Sequence, residues 1–175
     1  TTNHRFICLK NTMKHKFLSI LFVVIIANIL YFGMIRGRFA PANPFDETTF
    51  MDDKQQNFSI QDFDDKVVLV SFFQTWCVDC RKELLELEAL QNKFPKELKV
   101  LIISDEPFEK LNSAKSFLNS QLSFYTCNQS LKSIGIYRFP TTYLINKSGK
   151  IVKSEVERIH WNTIEIQKLI TSLSK

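Results

Sequence analysis

The chain has 175 residues, 45% apolar and 23% charged, proportions that suit one globular domain plus an extra segment and exclude a disordered or fibrous protein. Its formal charge of +5 is unevenly placed: residues 1–42 hold six bases and no acid, and residues 43–175 hold 17 bases against 18 acids. A nearly neutral globular part has no surface for tracking phosphates, so nucleic acid is not expected as a partner.

Residues 17–35 carry no charge, and as a helix they would span about 28 Å, close to the hydrocarbon thickness of a bilayer. Leu, Ile, Val and Phe cover every face, with no polar stripe for a soluble domain to expose. This stretch is expected to be a transmembrane anchor, preceded by a cytoplasmic segment over residues 1–16. Four bases precede the span, Arg36 and Arg38 follow it, and Asp46, Glu47, Asp52 and Asp53 lie beyond. The basic excess puts the N-terminus in the cytoplasm and the globular part outside a bacterial cytoplasmic membrane. Ala40-Pro41-Ala42 has the small residues of a signal-peptidase site, but the apolar run exceeds a signal core and two arginines intervene, which favours an uncleaved anchor. Met13-Lys14-His15-Lys16 reads like a bacterial start, which makes residues 1–12 an extension and Cys8 irrelevant. Residues 36–56 hold Pro41, Pro44 and several acids without a sustained period, and are expected to form a tether.

Residues 57–175 are expected to form the globular domain. After a short strand or loop at Phe58-Ser59-Ile60 and an acidic turn over 62–65, the unbroken apolar run 67–73 predicts a strand buried on both faces. Leu84, Leu87, Leu90 and Phe94 then recur at helical spacing until Pro95 ends the pattern. A second central strand over 100–104 completes a βαβ unit with parallel strands. Further on, the pattern predicts a helix over 108–118, a short strand over 123–126 and a helical turn over 130–134. Strands over 141–145 and 151–156 follow, joined by the hairpin signal Asn146-Lys147-Ser148-Gly149, and a closing helix covers 161–173. These elements make an α/β domain, a mixed central sheet covered by helices on both faces.

Trp76-Cys77-Val78-Asp79-Cys80 lies where the first central strand gives way to a helix. Unpaired N–H groups and the positive dipole end at that terminus stabilise a thiolate, which makes Cys77 the attacking sulfur. Two intervening residues bring Cys80 within disulfide range while leaving it more enclosed, so Cys80 resolves the mixed disulfide. A zinc site needs two more ligands, and His160 and Cys127 show no matching pair spacing; no metal is expected. A purely structural disulfide closing so short a loop would remove little chain entropy.

A second segment, Tyr137-Arg138-Phe139-Pro140-Thr141-Thr142-Tyr143-Leu144-Ile145, resembles the strand preceded by a cis-proline in thioredoxin-like proteins. With its hairpin it is similar to the membrane-anchored thiol–disulfide oxidoreductases of TlpA/ResA type, and the resemblance covers roughly Phe58 to Lys175. It implies a thioredoxin-like fold in which cis-Pro140 faces the cysteine pair. It also implies that Trp76, Phe139, Pro140 and Thr141 meet the substrate, the Phe139 backbone pairing with an extended chain, and that Glu83 exchanges protons at the site. The sequence departs from thioredoxin at Ser71, which replaces a buried Asp, and at Val78-Asp79, which lacks the usual proline. Cys127 is expected to be a small buried residue and His160 a surface or satisfied one.

The expected function is thiol–disulfide exchange on proteins outside the cytoplasm, in the reducing direction. No Gly-rich dinucleotide fingerprint is present and no flavin domain would fit, so no cofactor is expected and electrons must come from another protein. The resemblance implies a membrane thiol–disulfide carrier as donor, and an apocytochrome c or a copper-site protein as substrate. Two rivals stay open: an oxidase that inserts disulfides, and a copper-binding chaperone that uses the thiols as ligands.

Overall fold

The computed structural model describes residues 2–35, 38–45 and 48–175, with the side chains of residues 16–33 described in the first helix. Arg36, Asp46 and Glu47, used in the charge argument, lie outside the described residues. The chain divides into two units, 1–36 and 37–175.

The first unit is one helix, α1 (Thr2–Ile35). Its stretch Lys16–Gly33 is long and apolar enough to cross a bilayer, and Phe17, Ile20, Phe22 and Phe32 are exposed. Asn28, a polar residue inside the apolar stretch, donates through Nδ2 to the Val24 carbonyl at 2.8 Å, so its amide is satisfied within the helix.

The second unit is built on a seven-stranded mixed sheet. Its strands are β1 (Phe50–Met51), β2 (Asn57–Phe58), β3 (Val67–Phe72), β4 (Leu98–Ser104), β5 (Ser123–Cys127), β6 (Thr141–Ile145) and β7 (Ile151–Val156), in the order β2-β1-β5-β4-β3-β6-β7. The βαβ unit forms as the apolar runs predict: β3 and β4 pair in parallel and are joined by α2 (Val78–Lys93). β5 extends the parallel set, while β6 returns antiparallel on β3 and carries β7 beside it. Helices α3 (Phe108–Phe117) and α4 (Ile164–Leu173) complete the domain.

Strand periodicity divides the core. Val67 and Leu69 point to one face, where Leu84, Leu87 and Leu90 of α2, Leu111 of α3 and Ile166 and Ile170 of α4 cover them. Val68, Val70 and Phe72 point to the other, against Phe45, Phe50, Ile60, Leu131 and Ile136. Among the described residues no α-helix supplies that second layer. It is made by a short 3-10 helix at Ile60–Phe63, by turns over 131–136 and by an aromatic group in which Phe45 stacks on Phe72 at 6.0 Å and meets Tyr143 edge-on at 5.3 Å.

Three expectations change. The tether expected over 36–56 does not run free in its described part: Phe45 and Phe50 are buried, β1 pairs with β5, and the Tyr143 hydroxyl donates to the Pro41 carbonyl at 3.0 Å. Burial of two phenylalanines is worth several kcal/mol, roughly 2 each, and it ties a segment without periodicity to the sheet. The closing helix starts at Ile164 rather than at Trp161, because Thr163 caps it by accepting from the Ile166 N–H at 3.4 Å and Trp161 is needed in the core, fully buried. Helices expected on both faces give way to α-helices on one: among the described residues the second face carries turns over 131–135, closed by Gly135 at φ +87 beside Pro41, where the sequence predicts the helical turn over 130–134.

Candidate active site

Cys77 and Cys80 form a disulfide at the N-terminus of α2, with Cα atoms 5.3 Å apart. Cys77 is the N-cap residue: its backbone is extended, and its sulfur accepts the Cys80 N–H at 3.0 Å. A sulfur in that position takes the role an N-cap oxygen fills elsewhere, and a thiolate there gains from both the N–H group and the dipole. Cys77 and Cys80 are 6% and 2% exposed. Trp76 projects outward, 66% exposed, with its ring edge-on to Phe139 at 5.9 Å. The Phe139–Pro140 peptide is cis.

Thr141, which follows the cis-proline, is buried, and its hydroxyl donates to the Arg138 carbonyl at 2.8 Å.

Glu83 lies one helical turn after Cys80 on the buried side of α2, 1% exposed. Its Oε1 accepts the Thr142 hydroxyl at 2.7 Å and the Ser71 hydroxyl at 3.2 Å. These two residues are cross-strand neighbours on β6 and β3, and their hydroxyls also bond each other at 3.1 Å. Oε2 has no partner in good hydrogen-bonding geometry among the described residues. Burial pushes the Glu83 pKa up to about 7, against the smaller opposing effects of Thr142, Ser71, the Trp161 indole and the Ile159 backbone. A carboxyl with this poise can take and return a proton near neutral pH. Ser71, which the sequence presents only as a missing acid, is thus a partner of the acid that the helix provides.

One turn further along α2, Glu86 gathers the segment after β7. It accepts from Arg158 Nη2 at 2.6 Å and from the Trp161 N–H at 3.0 Å, and lies 3.0 Å from His160 Nδ1. Partial burial pushes its pKa up, but His160 and then Arg158 outweigh it, and the net direction is down. His160 is therefore a satisfied surface residue.

Two carboxylates that the sequence did not single out secure the loop before the cysteines. Glu106 accepts the Thr75 N–H at 2.6 Å through Oε2 and the Thr75 hydroxyl at 2.9 Å through Oε1. Asp105 accepts from Gln74 Nε2 at 2.6 Å and from the Leu131 N–H at 2.9 Å. The available signal was position: Asp105-Glu106 follows β4 at the carboxyl end of a parallel strand, where α/β folds hold their sites. Among the described residues no group of three His, Cys, Asp or Glu side chains could hold a metal ion. Cys127, on β5, is unbonded and buried, and burial pushes its thiol pKa up.

The Redoxin family profile matches residues 40–170. A thiol-disulfide oxidoreductase ResA from Bacillus thuringiensis subsp. konkukian is 31% identical over 103 residues, 56% of this chain and 59% of that protein. A ResA from Bacillus subtilis is 28% identical over 130 residues, 71% of this chain and 73% of that protein. The match thus spans less than two thirds of the first relative's length and somewhat more of the second's. The solution structure of a thiol:disulfide interchange protein from Bacteroides sp. superposes with a TM-score of 0.62 at 27% identity, over 79% of this chain and 90% of that one. The chain therefore belongs to the Redoxin family and, within it, to the thioredoxin-like proteins of TlpA/ResA type.

Proposed function

We propose that this protein is a thiol–disulfide oxidoreductase that reduces protein disulfides outside the cytoplasm, tethered to the membrane by α1. The observation that carries the reading is the disulfide capping α2 with a buried carboxyl, poised near neutral pH, one turn behind it. The names of the relatives support the activity, and the apolar stretch of α1 supports the tether. The domain division follows: a cytoplasmic segment over 1–16, a span over 17–35, and a catalytic domain that begins near Ala40, where the family match begins.

In the reduced protein the Cys77 thiolate attacks one sulfur of a substrate disulfide, and the other substrate sulfur leaves as a thiolate that takes up a proton. Cys80 gives its proton to Glu83 and attacks the Cys77 sulfur. The second substrate sulfur leaves, and the Cys77–Cys80 bond holds the two electrons' worth of oxidation. Phe139 and Pro140, with Trp76 edge-on beside them, form the rim against which the extended substrate chain lies. A membrane dithiol carrier then reduces Cys77–Cys80 by the same exchange in reverse. The substrate class is a cysteine pair on an exported polypeptide, such as an apocytochrome c.

The test is directional trapping in cells. Cys80→Ser should hold substrates as mixed disulfides on Cys77, because the resolving thiol is gone; Cys77→Ser should hold few. A polytopic membrane protein and a cytochrome precursor among the trapped species would support the donor and the pathway. If Cys77→Ser traps more than Cys80→Ser, the assigned roles are wrong.

A further inference from the structure

We propose that Glu106 is a positioning residue for Cys77, acting through Thr75; this inference rests on the function proposed above. Glu106 is 9% exposed and grips Thr75 twice, at the backbone N–H and at the hydroxyl. Its other contacts anchor it in turn. Its N–H donates to Ser104 Oγ at 3.1 Å, its carbonyl accepts from the Thr126 hydroxyl at 3.1 Å, and Lys110 of α3 lies 3.8 Å from Oε1. The loop it holds leads directly into the nucleophile. Cys77 N–H donates to the Gln74 carbonyl at 3.0 Å, and Arg81 Nη1 donates to the Thr75 carbonyl at 3.3 Å.

Residues 74–77 therefore form a turn pinned at its start by Asp105 and Glu106 and at its end by α2. The Cys77 sulfur meets the Cys80 N–H only while that turn keeps its place. A carboxylate is suited to the task because Thr75 offers two donors side by side, and a single neutral acceptor would satisfy one of them. Loss of the grip lets the turn drift, and small displacements at a reacting atom are felt strongly.

The experiment uses the full chain, reduced in detergent, in a Cys80→Ser background, with iodoacetamide alkylation of Cys77 followed by the mass of its peptide across a pH series. Glu106→Ala should slow alkylation at pH 7 about tenfold and move its pH midpoint upward. Glu106→Gln, which still offers an oxygen to the Thr75 N–H and an amide N–H to the Thr75 hydroxyl oxygen, should retain most of the rate. If Glu106 acts through its charge alone, both substitutions should speed alkylation together, which overturns the proposal. An unchanged alkylation profile in Glu106→Ala, with only a lowered denaturation midpoint, overturns it as well. Should Glu106→Ala not fold, Thr75→Val decides: it keeps the backbone bond and loses the hydroxyl, so a drop of a few-fold is expected and an unchanged rate refutes the inference. Alkylation needs no protein substrate, so a wild type that reduces no disulfide would sink the proposed function and leave this test standing.

Discussion

Glu83 and Glu86 sit one turn apart on α2, yet the two environments drive them in opposite directions. The carboxyl nearer the cysteines is enclosed, faces two hydroxyls, the Trp161 indole and the Ile159 backbone, and is raised to about 7. The other lies at the edge of the domain between His160 and Arg158 and is lowered. Both are fixed by residues distant in sequence, and neither is an ordinary solvated helix glutamate. The difference separates two settings: Glu86 holds the segment that brings Trp161 over the helix, and Glu83 is left without a cation against it, as the proton exchange proposed for it requires. Pairs of acids whose surroundings push them apart are the usual mark of divided acid–base and structural roles.

The contrast breaks most readily on stability against pH. Glu83 binds its proton more tightly folded than unfolded, so its contribution is fully present below the unfolded carboxylate pKa and is lost as pH rises through about 7. Glu83→Gln should therefore match the wild type near pH 4 and gain on it by pH 8, by up to about 3 kcal/mol in urea denaturation. Glu86→Gln should do the reverse. Its contribution is present above the unfolded pKa and lost as pH falls through the lowered folded value, and it is worth less than about 1 kcal/mol at this partly exposed site. Parallel pH slopes in the two variants would erase the distinction.

Kinetics should follow the same division. Glu83→Gln should slow release of a mixed disulfide from Cys77 by about 100-fold and remove the limb of the pH–rate profile near 7, while Glu86→Gln leaves that limb in place. A stopped-flow pH series on a fluorescent mixed disulfide reads both. Thr142→Val takes the shorter hydroxyl bond from Glu83 and should raise that limb by up to about one pH unit; no movement would mean that the hydroxyl does not set the poise. The smallest effect is expected at Asp79, a third acid of α2, exposed in the first turn and paired with Lys82 at 3.6 Å. Replacing it by Asn removes a charge that opposes the Cys77 thiolate, so the potential of the couple should rise by about 20 mV or less in a glutathione titration.

The parts of this site written in local sequence were legible. An unbroken apolar strand, two cysteines at the following helix start and Phe139-Pro140 before another strand each signal their own geometry, and β3, α2 and β6 form as their patterns predict. Parts that depend on register were not. Ser71 and Thr142 are 71 residues apart, and only the pairing of β3 with β6 makes them one cradle for Glu83. Thr75 and Glu106 meet across 31 residues because β3 and β4 end side by side. The segment before β1 misled for another reason: Phe45 is held by shape against Phe72 and Tyr143, and aromatic lodging in an irregular stretch leaves no period to read.

Cys127 has a consequence for how the domain keeps its chemistry clean. A protein that passes disulfides from hand to hand risks trapping itself whenever a spare sulfur lies within reach of the working pair. Here the spare sulfur lies on β5, opposite Phe50 in the strand pairing, with burial raising its pKa, so it is scarce as a thiolate. All three cysteines of the domain are nearly enclosed, so what sets Cys127 apart is its place on a strand instead of at a helix N-terminus, where no dipole offsets the rise in its pKa.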